Sequence, residues 1–261
     1  MKSAYLKVSF HHQKARMSLK SKIIALDLRG TLIDPPINRE ANAVRALNSL
    51  GYKDLPDFQI QTRAQNRYKN PSISDWILES LLTYSRDLLF ENEIEVPIDH
   101  LVVAFQKMEE EYIKSSTALI QDHSLHQAIS RLETQERKVV ILVDGPYWRE
   151  IAVMRRLFPA TMQTRDEEEF IFSPITLGFN KLHIGYFVNF LKTMDMNPEE
   201  LLLISDGIEK DLLTAAEIGI ASIHISQKCE SQICQSVIQP ICHFRNIHEC
   251  LNWVSEAQIN G

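Results

Sequence analysis

The sequence contains no apolar run that approaches the roughly 18 residues needed to cross a membrane. It also lacks an excess of positive charge, because 34 acidic residues outnumber 28 basic ones and leave a net charge of -6. We therefore expect neither a membrane protein nor a nucleic-acid-binding protein. The 261 residues are 44% hydrophobic and 24% charged, which is typical of a globular chain with one large domain or two smaller ones.

Acidic residues are absent from the first 26 positions, although six basic residues fall there. No apolar core of about 7–15 residues follows this basic start, so a secretory signal is not expected. We interpret residues 1–19 as a disordered basic tail, or as an extension upstream of a start at Met17. We expect a cytoplasmic location, and an organelle transit peptide in this tail is the alternative.

Cysteine is absent from the first 228 positions, and the four cysteines that follow lack the C-x2-C spacing of structural zinc sites. They are Cys229, Cys234, Cys242 and Cys250. Histidines lie nearby, so a metal site in this region stays an alternative. Reduced thiols in a cytoplasmic protein are the simpler interpretation.

The stretch KIIALDLRGTLID, residues 22–34, begins with an apolar run that ends at Asp27. An apolar run without charges predicts a strand that is buried on both faces, as in a parallel sheet. Open α/β sheets bind their ligands beyond the carboxyl ends of such strands. Asp27 is therefore a candidate for chemistry, and Arg29, two residues further on, is its closest charged neighbour in the sequence.

The chain after this strand divides into a helical block and an alternating block. Three amphipathic helices are predicted within residues 37–115, which we interpret as an inserted helical cap with hinges near residues 34–37 and 114–119. From residue 120, predicted strands and helices of about 10–15 residues alternate, which indicates a parallel, doubly wound sheet. We therefore expect an α/β core made of residues 20–36 and 116–261.

Other predicted strands and turns of the core also present polar groups. Asp144 and Gly145 follow VVILV, Lys181 lies near a helix start, and Asp206 follows LLLIS with Asp211 five residues later. The carboxyl ends of parallel strands meet at one edge of a sheet, so we expect these groups in one crevice. Carboxylates gathered there repel one another unless a divalent cation or a ligand lies between them.

These motifs resemble those of the haloacid dehalogenase (HAD) superfamily, in the subclass with a helical cap inserted after the first motif. The family's opening D-x-D-G-T is matched by Asp27, Gly30 and Thr31 in DLRGT. Its lysine is matched by Lys181, and its closing G-D-x-x-x-x-D is matched in SDGIEKD, where Asp206 and Asp211 stand. The resemblance covers residues 20–256 and implies a Rossmann-like core with a helical cap.

The resemblance implies a role for each matched residue. Asp27 would attack the substrate and form a covalent aspartyl intermediate, which Lys181 neutralises while Asp211 orients Lys181 or a metal-bound water. Asp27, Asp206 and the backbone carbonyl of Arg29 would hold Mg²⁺. The substrate would be a small anionic or phosphorylated molecule, and its binding residues would be Gly30, Thr31, Asp144 and Gly145.

Two positions differ from the family pattern. Arg29 stands where phosphatases of the family carry a second aspartate, which protonates the leaving group, and a guanidinium cannot exchange that proton. Val143 stands where the family has a serine or threonine that donates to the transferring group. Arg29 could instead be a catalytic residue that binds a carboxylate, halide or phosphate, and its charge would lower the demand for Mg²⁺.

We therefore expect a hydrolase with Asp27 as nucleophile and weak activity on ordinary phosphomonoesters. Its substrate would carry a leaving group that departs without a proton, as in an acyl phosphate, a phosphonate or a haloacid. The alternative is a catalytically impaired protein of the same fold with a binding, regulatory or partner-interaction role. The sequence does not decide the oligomeric state.

Overall fold

A computed structural model describes residues 21–34, 45, 48–52, 97–145, 147–226 and 242–256 of the chain. The predicted tail and most of the first two predicted cap helices lie outside the described residues. So do Cys229 and Cys234. At the end of the first predicted cap helix, Gly51 has a φ of +100°, a left-handed conformation typical of a helix end.

Six parallel strands form the main sheet in the order β5-β4-β1-β6-β7-β8, and β2 and β3 form a separate antiparallel pair. The strands are β1 Ile23–Asp27, β2 Ile33–Asp34, β3 Thr117–Ala118, β4 Lys138–Leu142, β5 Ile171–Phe172, β6 Leu201–Ser205, β7 Ala221–Ile225 and β8 Cys242–Phe244. The chain first extends the sheet from β1 towards β5 and then crosses to the other side of β1. This confirms the predicted doubly wound α/β core, and the point of reversal lies next to β1.

The helices of the described residues are α1 Ile98–Ser115, α2 Asp122–Glu133, α3 Tyr147–Leu157, α4 Pro159–Gln163, α5 Glu167–Phe170, α6 Pro174–Leu177, α7 Ile184–Thr193, α8 Leu213–Ala216 and α9 Ile247–Glu256. A short 3₁₀ turn covers Pro198–Glu200, and one turn of π-helix covers Ile208–Leu212. The third predicted cap helix is α1. The predicted helices after β4, β5 and β7 correspond to α3, α7 and α9.

The sheet is buried on both faces because its residues alternate between two cores. Ile24 and Leu26 of β1 pack into one apolar cluster, whereas Ile23 and Ala25 pack into the other. This alternation follows from the two-residue period of a strand, and it explains why β1 is apolar without interruption.

The antiparallel pair β2–β3 joins the two ends of the predicted cap insertion. Ile33 is opposite Ala118, and Asp34 is opposite Thr117, so the chain leaves and returns to the core side by side. The backbone N–H of Leu119 also donates to the carbonyl of Leu32. This junction lies where the sequence places the hinges, and the division into core and cap stays a prediction.

Two parts of the core differ from the sequence prediction. The helix expected from residue 209 begins instead as the π-helical turn, in which the N–H groups of Asp211 and Leu212 both donate to the carbonyl of Gly207. Strand β8 is not predicted by the sequence, because CHF is only three residues long and carries a histidine at its centre. Within the described residues, no helix is long and apolar enough to cross a membrane.

Candidate active site

Strand β1 places Asp27 at the carboxyl end of the sheet, between the ends of β4 and β6. Asp27 is the last residue of β1 and lies opposite Leu142 in β4. On its other side, Leu26 lies opposite Ile204 in β6. The loops that carry Asp144 and Asp206 therefore flank Asp27, as the sequence predicts.

Lys181 forms a buried ion pair with Asp27. The Nζ atom of Lys181 donates to Oδ1 of Asp27 and lies 3.7 Å from Oδ2 of Asp211. The lysine is 1% exposed and Asp27 is 3% exposed, so water screens this pair very little. Lys181 precedes α7, whose first turn is capped by the Nδ1 atom of His183, which accepts from the N–H of Gly185 at 3.0 Å.

Gly30 and Thr31 bring the loop after β1 against Asp206. The hydroxyl of Thr31 accepts a hydrogen bond of 3.1 Å from the backbone N–H of Asp206. Gly30 has a φ of +76°, and a Cβ atom at this position would lie 1.9 Å from Oδ2 of Asp206. Only a glycine lets the Asp206 carboxylate approach the loop this closely.

The π-helical turn positions Asp211. Its Oδ2 atom accepts from the hydroxyl of Ser205, and the Ser205 oxygen accepts in turn from the N–H of Gly207 at 3.0 Å. The wider turn places Asp211 over the end of β6 rather than along a helix axis. Such π-turns occur frequently at functional sites.

We call Asp27, Asp144, Lys181, Asp206 and Asp211 the carboxylate cluster. Burial raises the pKa of Asp27 well above its usual value against the opposing effect of Lys181, and repulsion from the other three carboxylates adds to the rise. Burial likewise raises the pKa of Asp206 and of Asp211. The cluster holds four carboxylates and one ammonium, so it is short of positive charge.

Lys181 remains charged in this pocket. Burial by itself lowers the pKa of Lys181, but Asp211 and Asp27 together raise it well above the usual value. The buried Tyr186 closes the pocket beneath the lysine, since its hydroxyl lies 3.1 Å from the Val143 carbonyl and 3.0 Å from the Phe172 carbonyl. Burial raises the pKa of Tyr186, which stays a neutral hydrogen-bond donor.

The residues around Asp27 fit a divalent cation. Asp27 and Asp206 follow neighbouring strands to the same edge of the sheet, and only a glycine at position 30 leaves room for the Asp206 carboxylate. Among the described residues, no group of three or more acidic, histidine or cysteine side chains could hold a metal. A site with two carboxylates is nevertheless what Mg²⁺ uses, because it keeps several of its waters.

Arg29 does not point at the carboxylate cluster as a free cation. Its Nη2 atom pairs with Oε1 of Glu150 in the first turn of α3. The same oxygen accepts from Nη2 of Arg149 at 2.8 Å, and Nη1 of Arg149 lies 3.3 Å from Oε1 of Glu109 in α1. The side chains of Glu150, Arg149 and Glu109 are no more than 3% exposed.

Tyr112 of α1 and Gly145 complete this second group, which we call the arginine cluster. The guanidinium carbons of Arg29 and Arg149 lie 5.1 Å and 4.6 Å from the centre of the Tyr112 ring, within the range of cation–π contacts. A Cβ on Gly145 would lie 1.9 Å from Oε1 of Glu150. The glycine at 145 therefore admits the ion pairs and need not be explained by substrate binding.

Counted over the described residues, the arginine cluster is electrically balanced, with two guanidinium groups and two carboxylates. This changes the expectation that Arg29 offsets the negative charge around Asp27. Burial alone would lower the pKa of Arg29. The contact with Glu150, and to a lesser degree Tyr112 and Asp144, raises the pKa above its usual value, so the guanidinium keeps its proton. The charge of Arg29 is neutralised locally, and the demand of the carboxylate cluster for a cation remains.

Of the residues that the sequence predicts for the site, the structure places Asp27, Lys181, Asp206, Asp211, Gly30 and Thr31 at one edge of the sheet. Arg29 and Gly145 belong instead to the neighbouring arginine cluster, and Asp144 acts on the pKa of residues in both. Sequence reasoning missed Glu150, Arg149, Glu109, Tyr112, Tyr186 and Ser205. A signal for Glu150 was present, since it precedes the buried Val153 and Met154 by three and four residues on the same helical face. A glutamate at such a position needs a buried partner.

Comparison with known proteins identifies the family of this chain. A sequence model of the haloacid dehalogenase-like hydrolases matches residues 21–219. No curated protein sequence matches the chain. Among solved structures, a predicted phosphoglycolate phosphatase from Haemophilus somnus 129PT is 15% identical with a TM-score of 0.59, covering 90% of this chain and 98% of its own.

Two further solved structures also match over nearly their full length. A putative β-phosphoglucomutase from Thermotoga maritima is 13% identical with a TM-score of 0.60, and the match covers 91% of this chain and 100% of that one. A putative HAD-hydrolase from Bacillus subtilis bound to magnesium is 16% identical with a TM-score of 0.52, covering 92% and 99%. At these identities the structures establish the fold. The family match spans most of the chain, and the protein therefore belongs to the haloacid dehalogenase-like hydrolases.

Proposed function

We propose that this hydrolase uses Asp27 as the nucleophile on a small phosphorylated or similarly activated substrate. The observation that carries the proposal is the buried pair of Asp27 and Lys181 at the carboxyl end of the sheet. A carboxylate held in a dry pocket by a fixed cation is oriented for attack, and its neighbour can neutralise the covalent intermediate.

The first step forms a bond between an Asp27 oxygen and phosphorus and breaks the bond from phosphorus to the leaving group. The leaving group departs with the electron pair of that bond. Arg29 holds its proton too tightly to give it up, so the leaving group must be stable as an anion. Water then attacks the phosphorus of the aspartyl intermediate and the bond from phosphorus to the Asp27 oxygen breaks. Both protons of the water leave on the released phosphate, and the Asp27 carboxylate is restored.

The absence of a proton donor at position 29 selects among substrates. A general acid is typically worth about 10²–10⁴-fold in rate. This loss matters little for an acyl phosphate, whose leaving carboxylate needs no proton, and matters fully for an alkyl phosphate. We therefore infer acyl phosphates and other substrates with good leaving groups, rather than ordinary phosphomonoesters.

We also propose Mg²⁺ as the cofactor, held by Asp27, Asp206 and the backbone carbonyl of Arg29. When bound, it would supply the positive charge that the transferring group and the carboxylate cluster require. One structural neighbour, from Bacillus subtilis, was solved with magnesium. In this chain, Lys181 holds Asp27 in place and Asp211 holds Lys181, and Gly30 and Thr31 hold the loop that presents Asp206.

A screen of acyl phosphates, phosphonates, 2-haloacids and alkyl phosphates, with and without Mg²⁺, tests the proposal. We expect turnover of an activated substrate that Asp27→Asn lowers by at least about 10³-fold. Asp195→Asn is the matched control, because Asp195 is exposed and its φ of +50° suits asparagine. Binding of an anion without any turnover would instead support the alternative of a binding protein.

A further inference from the structure

Arg29 and Asp27 are only two residues apart, yet their side chains belong to different ion pairs. Asp27 pairs with Lys181, and Arg29 pairs with Glu150. Asp144 lies close enough to both to raise the pKa of Asp27 and that of Arg29. The arginine therefore borders the carboxylate cluster without entering it.

An arginine released at this position would be drawn to the carboxylates. The cluster has four carboxylates and one ammonium, and Asp27, Lys181 and Asp211 are almost fully buried. Attraction between opposite charges grows as the local dielectric constant falls. A guanidinium that turned towards Asp27 or Asp206 would take the place of the cation that these residues are proposed to bind.

The contacts of Glu150 oppose this movement of Arg29. Its side chain is fully buried, and its Oε1 atom contacts Arg29 while it also accepts from Nη2 and Nε of Arg149 at 2.8 Å and 3.2 Å. Arg149 is itself fixed by Glu109. The acceptor of Arg29 is therefore held from behind and cannot follow the arginine towards Asp27.

We propose that Glu150 is a positioning residue that holds Arg29 outside the cation site and so keeps Asp27 and Asp206 available to Mg²⁺. The inference rests on the proposed function for the identity of the cation. It assigns Arg29 no contact with substrate, in contrast to the catalytic role that the sequence suggests for it. The ion pair between Arg29 and Glu150 keeps the positive charge of Arg29 away from Asp27 and Asp206.

The test compares the parent protein with Glu150→Gln and with the double variant Arg29→Met, Glu150→Gln. Isothermal titration calorimetry measures the Kd for Mg²⁺ alone, and crystal structures without metal locate Arg29 in the parent and in Glu150→Gln. Glu167→Gln is the matched control, because it breaks an exposed pair with Arg155 at the far end of the same helix. Glu150→Asp replaces Glu150→Gln if the amide variant does not fold.

We expect the Kd for Mg²⁺ to rise by about tenfold or more in Glu150→Gln, because Arg29 then pairs with the carboxylate cluster. The double variant should return to within about threefold of the parent, since the competing charge is gone. A purely structural role for Glu150 would not be reversed by removing a second residue of the same cluster.

The inference is overturned if Arg29 stays beside residue 150 in the variant crystal, or if the double variant binds Mg²⁺ as weakly as Glu150→Gln does. A parent that binds no Mg²⁺ contradicts the proposed cofactor, and the crystal structures alone then decide whether Glu150 positions Arg29. Turnover that survives Asp27→Asn contradicts the proposed nucleophile and leaves the Mg²⁺ measurements to stand by themselves.

Discussion

The carboxylate cluster and the arginine cluster are neighbours that differ in their balance of charge. In the arginine cluster, each guanidinium has a carboxylate and each carboxylate has a guanidinium. Among the described residues, Lys181 is the single cation of the carboxylate cluster beside four acids, and the pKa values of three of the acids are raised.

This difference in charge balance distinguishes a network that stabilises the fold from one that is kept for binding or chemistry. A buried ionic network that is balanced is already complete, so its removal should only weaken the fold. A network with excess charge of one sign is unfavourable in the free protein and is kept for what it binds or does. In the sequence, Arg29 lies in the motif that forms the carboxylate cluster. Its contacts place it in the balanced arginine cluster.

The largest effect on stability is expected from breaking the balanced cluster. Arg149→Met removes the guanidinium that Glu109 and Glu150 share, and it should lower the free energy of unfolding by about 3–5 kcal/mol. Urea unfolding at pH 7 measures the change. The double variant Arg149→Met, Glu109→Leu removes the stranded charge and should recover most of the loss.

The opposite sign is expected for Asp27→Asn in the same assay. Because the pKa of Asp27 is raised, its ionised form is unfavourable in the folded state at pH 7, and its neutral replacement should raise Tm by about 2 °C or more. Millimolar Mg²⁺ should stabilise the parent and remove this advantage. A loss of stability in Asp27→Asn without metal would contradict the distinction between the two clusters.

A change in rate should follow if the arginine cluster is rebuilt to hold a general acid. Arg29→Asp alone would place an aspartate beside Glu150, so we combine it with Glu150→Gln and with Val143→Thr. This triple variant should hydrolyse a simple alkyl phosphate about 10²-fold faster than the parent, within the range that a general acid supplies. A steady-state assay of phosphate release measures the rates.

The leaving group provides the internal control for that variant. The gain should be smaller on p-nitrophenyl phosphate, whose leaving phenolate needs a proton less. It should disappear when Asp27→Asn is added, because the nucleophile is lost. Equal gains on both substrates would show that the variant changed binding rather than proton transfer.

The smallest effect is expected from the His224–His243 pair at the far edge of the sheet. These residues are opposite each other in β7 and β8, and their Nδ1 atoms lie 3.1 Å apart. Burial lowers the pKa of each, and His243 lowers that of His224 further. As the pH falls, the unfolded state therefore takes up protons first, and the stability that the neutral pair provides is lost below about pH 6.5.

Calorimetry at pH 7.5 and pH 5.5 measures this loss. Tm should fall by about 1–3 °C more in the parent than in His243→Gln. The carboxylate cluster acts in the opposite direction, because protonation of acids with raised pKa values stabilises the folded protein. This effect is the same in both proteins and cancels in the difference. An identical pH dependence in the two proteins would contradict the prediction.

Much of the fold and the site could be predicted because the decisive features are local in the sequence. The apolar run of β1 and the position of Asp27 at its end specify a buried parallel strand and its ligand edge. Asp206 and Lys181 follow the same logic at later strands and turns. Their convergence depends only on the rule that parallel strands share one edge.

The arginine cluster could not be predicted because it depends on pairings between distant helices. Glu109 stands within three successive glutamates in α1, and no pattern in the sequence says that this one reaches Arg149, 40 residues away. The π-helical turn at Asp211 was missed for a similar reason, since it is shaped by contacts with Ser205 and Gly207 rather than by helix propensity. The sequence interpretation of Arg29 came from its position in the motif after β1, whereas its contacts are with Glu150.

The antiparallel pair β2–β3 has a consequence for how such a protein can diversify. Neighbouring strands lie about 4.8 Å apart, so the two ends of the insertion between Asp34 and Thr117 are already adjacent. The entropy of closing a loop grows only with the logarithm of its length, so the core tolerates a change in the inserted segment at little thermodynamic cost. Evolution can therefore replace the inserted segment while the Asp27–Lys181 pair of the core is inherited unchanged.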